Sequence, residues 1–221
     1  MSGLFITLEG MDGCGKSTQL EMLARALESR GLDFIVTREP GGTPLGEGVR
    51  ELLVSDEIVG ISPATELFLI VGARAQHVAE VIKPGLALGR IIISDRYTDS
   101  TVAFQGYGRG IDLSLINQMN RFATDGVTPD LTIIFDLEPA RARSRLRARP
   151  VGGLLGALDE EALDFHARVR HGYLMLAESE PSRIRIVDSS GTPEETHAAV
   201  MSLVLGRSQE SGVRSQNERY L

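Results

Sequence analysis

The apolar run Leu4-Phe5-Ile6-Thr7-Leu8 leads into Gly10–Ser17, which reads G-M-D-G-C-G-K-S. Leu20, Leu23, Ala24 and Leu27 then fall on one face of a helical pattern. The run predicts a buried strand and the spacing after it an amphipathic helix. A strand, a glycine-rich turn and a helix in this order, with the spacing G-x-x-x-x-G-K-[ST], form a phosphate-binding loop. Glycines let successive backbone N–H groups turn toward an anion, and the helix N-terminus adds partial positive charge. The segment expected to cradle phosphates is Gly10, Met11, Asp12, Gly13, Cys14, Gly15, Lys16, Ser17 and Thr18. Lys16 can reach the β- and γ-phosphates, and the Ser17 hydroxyl can ligate Mg²⁺. A tight glycine turn with a chance Lys-Ser is the plainer alternative, but it leaves the flanking strand and helix unexplained.

The rest of the chain repeats the alternation. Strands are expected at 4–9, 34–38, 90–94, 131–137 and 183–187, most of them near-continuous runs of Ile, Val, Leu and Phe. Such runs imply burial on both faces and hence a parallel sheet. Helices are expected at 17–30, 46–54, 63–88, 113–124, 140–148, 160–179 and 193–205. Right-handed crossovers would place them on both sides of the sheet. The fold class is therefore α/β: a five-stranded parallel sheet flanked by helices on both faces. Ligands in such folds bind beyond the carboxyl ends of the strands.

A length of 221 residues suits one domain, expected over 1–206. The glycine-rich stretch P-V-G-G-L-L-G-A-L at 150–158 predicts a short mobile lid spanning about 147–159. The polar stretch 207–221 predicts a flexible tail. Net charge is −7, which disfavours nucleic acid as a partner and requires locally placed arginines to meet any phosphate ligand. A single cysteine excludes an internal disulfide framework and fits a reducing cytoplasm. No apolar run is long enough to span a bilayer, so no membrane association is expected.

Three further groups of residues carry chemistry. Asp95-Arg96-Tyr97 follows the third strand. A carboxylate at a strand end beside a phosphate loop can hold Mg²⁺, and Arg96 can clamp a phosphate with its planar fork. Arg38-Glu39-Pro40-Gly41-Gly42-Thr43 follows the second strand, with Arg38 as another anion clamp. Arg141, Arg143, Arg145, Arg147 and Arg149 adjoin the glycine-rich stretch. Spaced by two, they spread around a helix, and one or two carried on a lid could close on a transferring phosphoryl group. His77, His166, His171 and His197 show no metal-ligand spacing.

Taken together, Glu9–Thr18, R-E-P-G-G-T at Arg38–Thr43, A-R-A-Q-H at Ala73–His77 and D-R-Y-T-D-S-T-V-A-F-Q-G-Y-G-R-G at Asp95–Gly110 resemble bacterial thymidylate kinases. The resemblance covers nearly the whole chain, with the motifs in the family order. It implies ATP-dependent phosphorylation of dTMP to dTDP, a P-loop fold, Mg²⁺ at Ser17 and Asp95, and a homodimer. Lys16, Arg96 and Asp12 would be catalytic, with Arg147 and Arg149 as lid arginines. Asp12 would sit beside the acceptor's sugar and phosphate, and Arg38 and Arg96 would clamp that phosphate. Arg74, Thr101 and Gln105 would face the base, and Glu39, Pro40, Ile70, Ser100 and Phe104 would complete the acceptor side. The Glu39–Pro40 bond is expected to be cis.

An arginine suits thymine O4 and opposes the amino group of cytosine, while a hydroxyl or amide oxygen can accept from thymine N3. The chain departs from the family pattern in three places. Ile70 or Val71 stands where the family stacks a Phe on the base, a change that could cost about 1–3 kcal/mol of base binding. Phe104 replaces a Tyr that favours deoxyribose. Gly156-Ala157-Leu158-Asp159 stands where the family carries an arginine-containing lid motif. These departures keep two alternatives open: a kinase for a modified or different pyrimidine monophosphate, or a catalytically weakened nucleotide-binding module.

Overall fold

A computed structural model describes residues 3–55, 58, 60–148 and 163–211 of the chain. Its sheet contains β1 (Leu4–Glu9), β2 (Phe34–Arg38), β3 (Ile91–Asp95), β4 (Leu131–Asp136) and β5 (Ile184–Asp188). All five are parallel, in the order β2-β3-β1-β4-β5. The strand leading into the glycine loop is central, and every one of its residues is buried. Its side chains alternate between two cores, as the two-residue period of a strand requires. Leu4, Ile6 and Leu8 join Leu23, Leu27, Ile133 and Val200 on one face, while Phe5 joins Val78, Ile82, Ile92 and Tyr97 on the other. Burial on both faces is why these strands read as unbroken apolar runs.

The helices are α1 (Lys16–Glu28), α2 (Pro44–Val54), α3 (Pro63–His77), α4 (Lys83–Ala87), α5 (Thr98–Thr101), α6 (Leu113–Thr124), α7 (Pro139–Arg147), α8 (Leu163–Ser179) and α9 (Pro193–Ser211). Three differ from the sequence-based expectation. The single helix expected over 63–88 is interrupted by a π-helical turn, Val78–Ile82, in which the Lys83 N–H bonds to Val78 O. Pro84 supplies the reason. It has no N–H to donate and its ring crowds the carbonyl one turn back, so the wider turn relieves the clash. The stretch 98–108 carries no obvious helical period, yet it forms α5 and a second π-helical segment, Val102–Gly108. Two glycines there are demanded by packing. A Cβ on Gly106 would lie 2.4 Å from Leu113 Cδ2, and one on Gly108 would lie 2.6 Å from the Phe165 ring. Finally, α9 continues to Ser211, so residues 207–211 of the expected tail are helical.

The strand ends fall within one residue of expectation. That one residue brings Asp95 into β3, in register with Leu8 of β1 and Arg38 of β2. Of the expected lid, Arg147 ends α7, while residues 149–159, with Arg149 and Gly156–Asp159, lie outside the described residues, as do 212–221 of the expected tail.

Candidate active site

The carboxyl ends of β1 and β3 carry the phosphate loop and the turn Arg96-Tyr97. In the loop Gly10, Gly13 and Gly15 have φ of 133°, 81° and 99°, the left-handed region that favours glycine. A Cβ on Gly10 would also sit 2.7 Å from Phe135 O. The loop therefore needs glycine both for its shape and for its fit against β4. Lys16 opens α1 and turns back over the loop, where its Nζ donates to Gly10 O and Met11 O at 3.0 Å. Cys14 is fully buried in the main core, and burial pushes its thiol pKa up. A protonated, enclosed thiol fills space and is a poor redox sensor.

Arg96 joins two parts of the site. Its Nη2 donates to Asp12 Oδ1 of the loop at 2.7 Å, and its Nη1 donates to Ser100 Oγ at 3.1 Å. The guanidinium lies 4.7 Å from the centroid of the Phe104 ring. Its φ is 73°, a sparsely populated conformation for a residue with a Cβ. Bonds from Arg96 N to Leu8 O and from Ser94 Oγ to Arg96 O hold it there. Burial alone would raise the Asp12 pKa and lower that of Arg96, but mutual attraction prevails. Arg96 and Lys16 hold the Asp12 carboxyl well below the usual carboxylate range, and Asp12, Tyr173, Asp95 and Glu9 hold Arg96 charged.

Beneath Arg96 lies a buried cluster that the sequence did not reveal. Glu9 accepts from Tyr97 N at 2.7 Å, Ser100 Oγ at 2.5 Å and Tyr173 OH at 2.9 Å. Burial, with the nearby Asp99 carboxylate, raises Glu9 to about 7.

A cavity of about 100 Å³ opens on the far side of Arg96. Nine residues expected in the site line it: Asp12, Glu39, Ile70, Arg74, Arg96, Ser100, Thr101, Phe104 and Gln105. They come from the loop, the end of β2, α3, the end of β3, α5 and the π-helical segment. Leu53, Glu66 and Tyr97 also line it and were not anticipated. Arg74 is 1% exposed. Its Nε donates to Glu39 Oε2 at 2.6 Å, Nη1 to Asn120 Oδ1 at 2.6 Å and Nη2 to Tyr97 O at 3.0 Å. The other oxygen of Glu39 meets His77 Nδ1 at 2.9 Å, and His77 Nε2 meets Thr37 Oγ1 at 2.6 Å. The Glu39–Pro40 bond is cis, as expected. Phe68 is 67% exposed and stands apart from the cavity, whereas Ile70 of α3 lines it.

Arg38 does not reach this cavity. Its Nη2 donates to Glu47 Oε2 at 2.6 Å, and it lines a neighbouring space of about 520 Å³ with Ser17 and Asp95. In that same space the donor set fits a divalent cation. Asp95 Oδ1 is buried without a partner among the described residues, and the Ser17 hydroxyl faces the same space. On the opposite side of the loop a third space of about 290 Å³ is lined by Gly13, Cys14, Gly15, Thr18, Gln19, Arg145, Pro193 and Thr196, among others. Arg145, rather than Arg147, lines it, because the two-residue spacing turns successive arginines about 200° around α7.

Three spaces thus adjoin one loop: the cavity beyond Arg96, the space at Ser17 and Asp95, and the space at Gly13, Gly15 and Arg145. The thymidylate kinase family model matches residues 8–200. The thymidylate kinase of Solidesulfovibrio magneticus is 47% identical over 205 residues, covering 91% of this chain and 98% of that protein. That of Exiguobacterium sp. is 43% identical over 214 residues, covering 97% of this chain and all of the other. The crystal structure of thymidylate kinase from Ehrlichia chaffeensis superposes with a TM-score of 0.74 at 36% identity, covering 92% of this chain and 99% of that one. The chain belongs to the thymidylate kinase family.

Proposed function

We propose that this chain transfers the γ-phosphoryl group of ATP directly to the 5′-phosphate of dTMP, giving ADP and dTDP. One observation carries the reading: the Asp12–Arg96 pair, at 2.7 Å, joins the phosphate loop to a cavity of about 100 Å³ lined by the residues expected to face a base. An acceptor whose base fills that cavity brings its phosphate to Arg96, beside the loop that holds the donor. No protein nucleophile is needed, because the attacking atom is already a phosphate oxygen. Positioning and charge neutralisation supply the catalysis.

The residues have separate tasks. Lys16 exchanges two carbonyls of its own loop for donor phosphate oxygens. Arg96, held charged, binds the acceptor phosphate. Asp12 stays ionised, so it accepts from Arg96 and takes no proton from the acceptor. Ser17 and Asp95 would hold Mg²⁺, which neutralises phosphate charge when bound. The space beside Arg145 and Gln19 suits the purine of ATP. Arg147, in the last turn of α7, and Arg149 remain the proposed lid arginines.

The proposal includes a homodimer and a cytoplasmic setting. Phe68 on α3 and Leu115 and Phe122 on α6 are exposed, Phe122 by 88%, and these two helices pack side by side. Exposed aromatic side chains on adjoining helices support a self-association face. Among the described residues no helix is long and apolar enough to cross a membrane. Relatives that are themselves thymidylate kinases favour dTMP over the modified-pyrimidine and non-catalytic alternatives. A panel of dTMP, dUMP, UMP, dCMP and 5-modified dUMP with ATP and Mg²⁺ tests the choice. Turnover is expected to be best with dTMP. Absence of ADP release with dTMP, alongside good turnover of another acceptor, would overturn the assignment.

A further inference from the structure

Gln105 and Thr101, the polar side chains expected to face the base, both line the cavity, and their environments differ. Thr101 Oγ1 is buried, with its residue 1% exposed, and has no partner among the described residues. A buried hydroxyl without a partner costs stability unless a ligand satisfies it. Gln105, by contrast, is tied at one end. Its Nε2 donates to Glu66 Oε1 at 2.5 Å, and the residue is 3% exposed. Glu66 opens α3, is itself 6% exposed, and receives Arg109 Nη2 on its other oxygen at 3.3 Å.

A side-chain amide is nearly symmetric in shape but opposite in hydrogen-bonding sense at its two ends. An ionised carboxylate can only accept. Glu66 therefore permits one of the two amide orientations, with the NH₂ group toward itself. Gln105 Oε1 is then left as an acceptor, with no partner among the described residues, at a side chain that lines the cavity. Arg109 pairs with the same carboxylate at its other oxygen.

We propose that Glu66 is a positioning residue for base selection. By fixing the Gln105 amide, it makes the cavity demand a ring N–H donor. Thymine and uracil present N–H at N3, whereas neutral cytosine presents a bare acceptor nitrogen there. Without the carboxylate the amide can turn over and offer Nε2 to that nitrogen. Glu66 thus discriminates against cytosine without touching the base. This inference rests on the dTMP reading of the cavity.

The test is kinetic. Wild-type enzyme, the Glu66→Gln variant and the Glu66→Gln/Gln105→Glu double variant are assayed with dTMP and dCMP at saturating ATP and Mg²⁺. An amide at position 66 can donate as well as accept, so it no longer dictates the orientation of Gln105. The expected result for Glu66→Gln is a fall of about tenfold or more in the ratio of kcat/KM for dTMP to that for dCMP. The change should lie mainly in the acceptor KM, with the KM for ATP unmoved. The double variant keeps the same atoms and charge but again presents an acceptor oxygen to the base, so it should recover the preference for dTMP. Loss of stability common to both variants would not produce such a recovery. An unchanged ratio in Glu66→Gln would overturn the inference while leaving the dTMP assignment standing. So would a double variant as unselective as the single one. Failure of the wild-type enzyme to phosphorylate dTMP would overturn both.

Discussion

The two halves of the site are built in different ways. The donor side is one contiguous stretch, Gly10–Thr18, and its shape is set by backbone: three glycines at positive φ and the start of α1. The acceptor side is assembled from side chains brought together from six parts of the fold, several of them aimed by buried polar partners. Glu39 aligns Arg74, Glu66 aligns Gln105, and Glu9 gathers Ser100, Tyr97 and Tyr173 under Arg96. Backbone recognition suits a phosphate, which presents the same oxygens in every nucleotide. Side-chain recognition suits a base, whose pattern of donors and acceptors is what must be told apart. The two sides should therefore fail differently when altered.

The largest effect is expected at the loop. Lys16→Ala should lower kcat by on the order of 10²–10³-fold. The fold and the affinity for dTMP should be nearly unchanged, because every partner of Lys16 Nζ, two carbonyls, the Cys14 thiol and Asp12, lies within the loop itself. Steady-state kinetics and calorimetric titration with dTMP check this, and a comparable loss of dTMP affinity would break the separation of the two halves. On the acceptor side, stability should suffer as well as activity. Glu39→Ala leaves Arg74 as a buried cation without its carboxylate, which costs about 3–5 kcal/mol. Denaturant unfolding should register that loss in full, whereas no substitution in the exposed loop surface should approach it.

The smallest effect concerns pH. Glu9 is raised from the ordinary 4.5 to about 7, so the folded state binds more protons than the unfolded state between those values. Stability contributed by protonated Glu9 is present below about 4.5 and is lost as pH rises toward 7. Glu9→Gln, which mimics the protonated carboxyl, should flatten that part of the stability–pH curve. Thermal melts at pH 5 and pH 7 provide the measurement. An equally steep decline in the variant would remove Glu9 as its source.

The same contrast explains what could be read in the sequence. The loop, the five strands and the parallel sheet were legible because each depends on neighbours in sequence: apolar runs, glycine spacing and helical period. The 98–108 helical stretch was missed because its glycines look like helix breakers, although packing against Leu113 and Phe165 requires them. Arg38 was expected on the acceptor phosphate from the family resemblance; in the structure it pairs with Glu47, nine residues on, and lines the space at Ser17 and Asp95. Glu66 lies in the first turn of α3, and Glu9 ends the strand that leads into the loop. Their roles follow from partners about 40 and 90 residues away, and no local pattern carries that information. Ile70 and Phe104 are the positions where resemblance and chain part, and both do line the cavity.

The central claim is that one phosphoryl group passes directly between the two halves. The stereochemical course at phosphorus tests it most directly, using ATP made chiral at the γ-phosphorus by oxygen isotopes or sulfur and dTMP as acceptor. A single in-line displacement between donor and acceptor predicts inversion of configuration in the dTDP formed. Net retention would require a phosphorylated protein intermediate and would contradict the account.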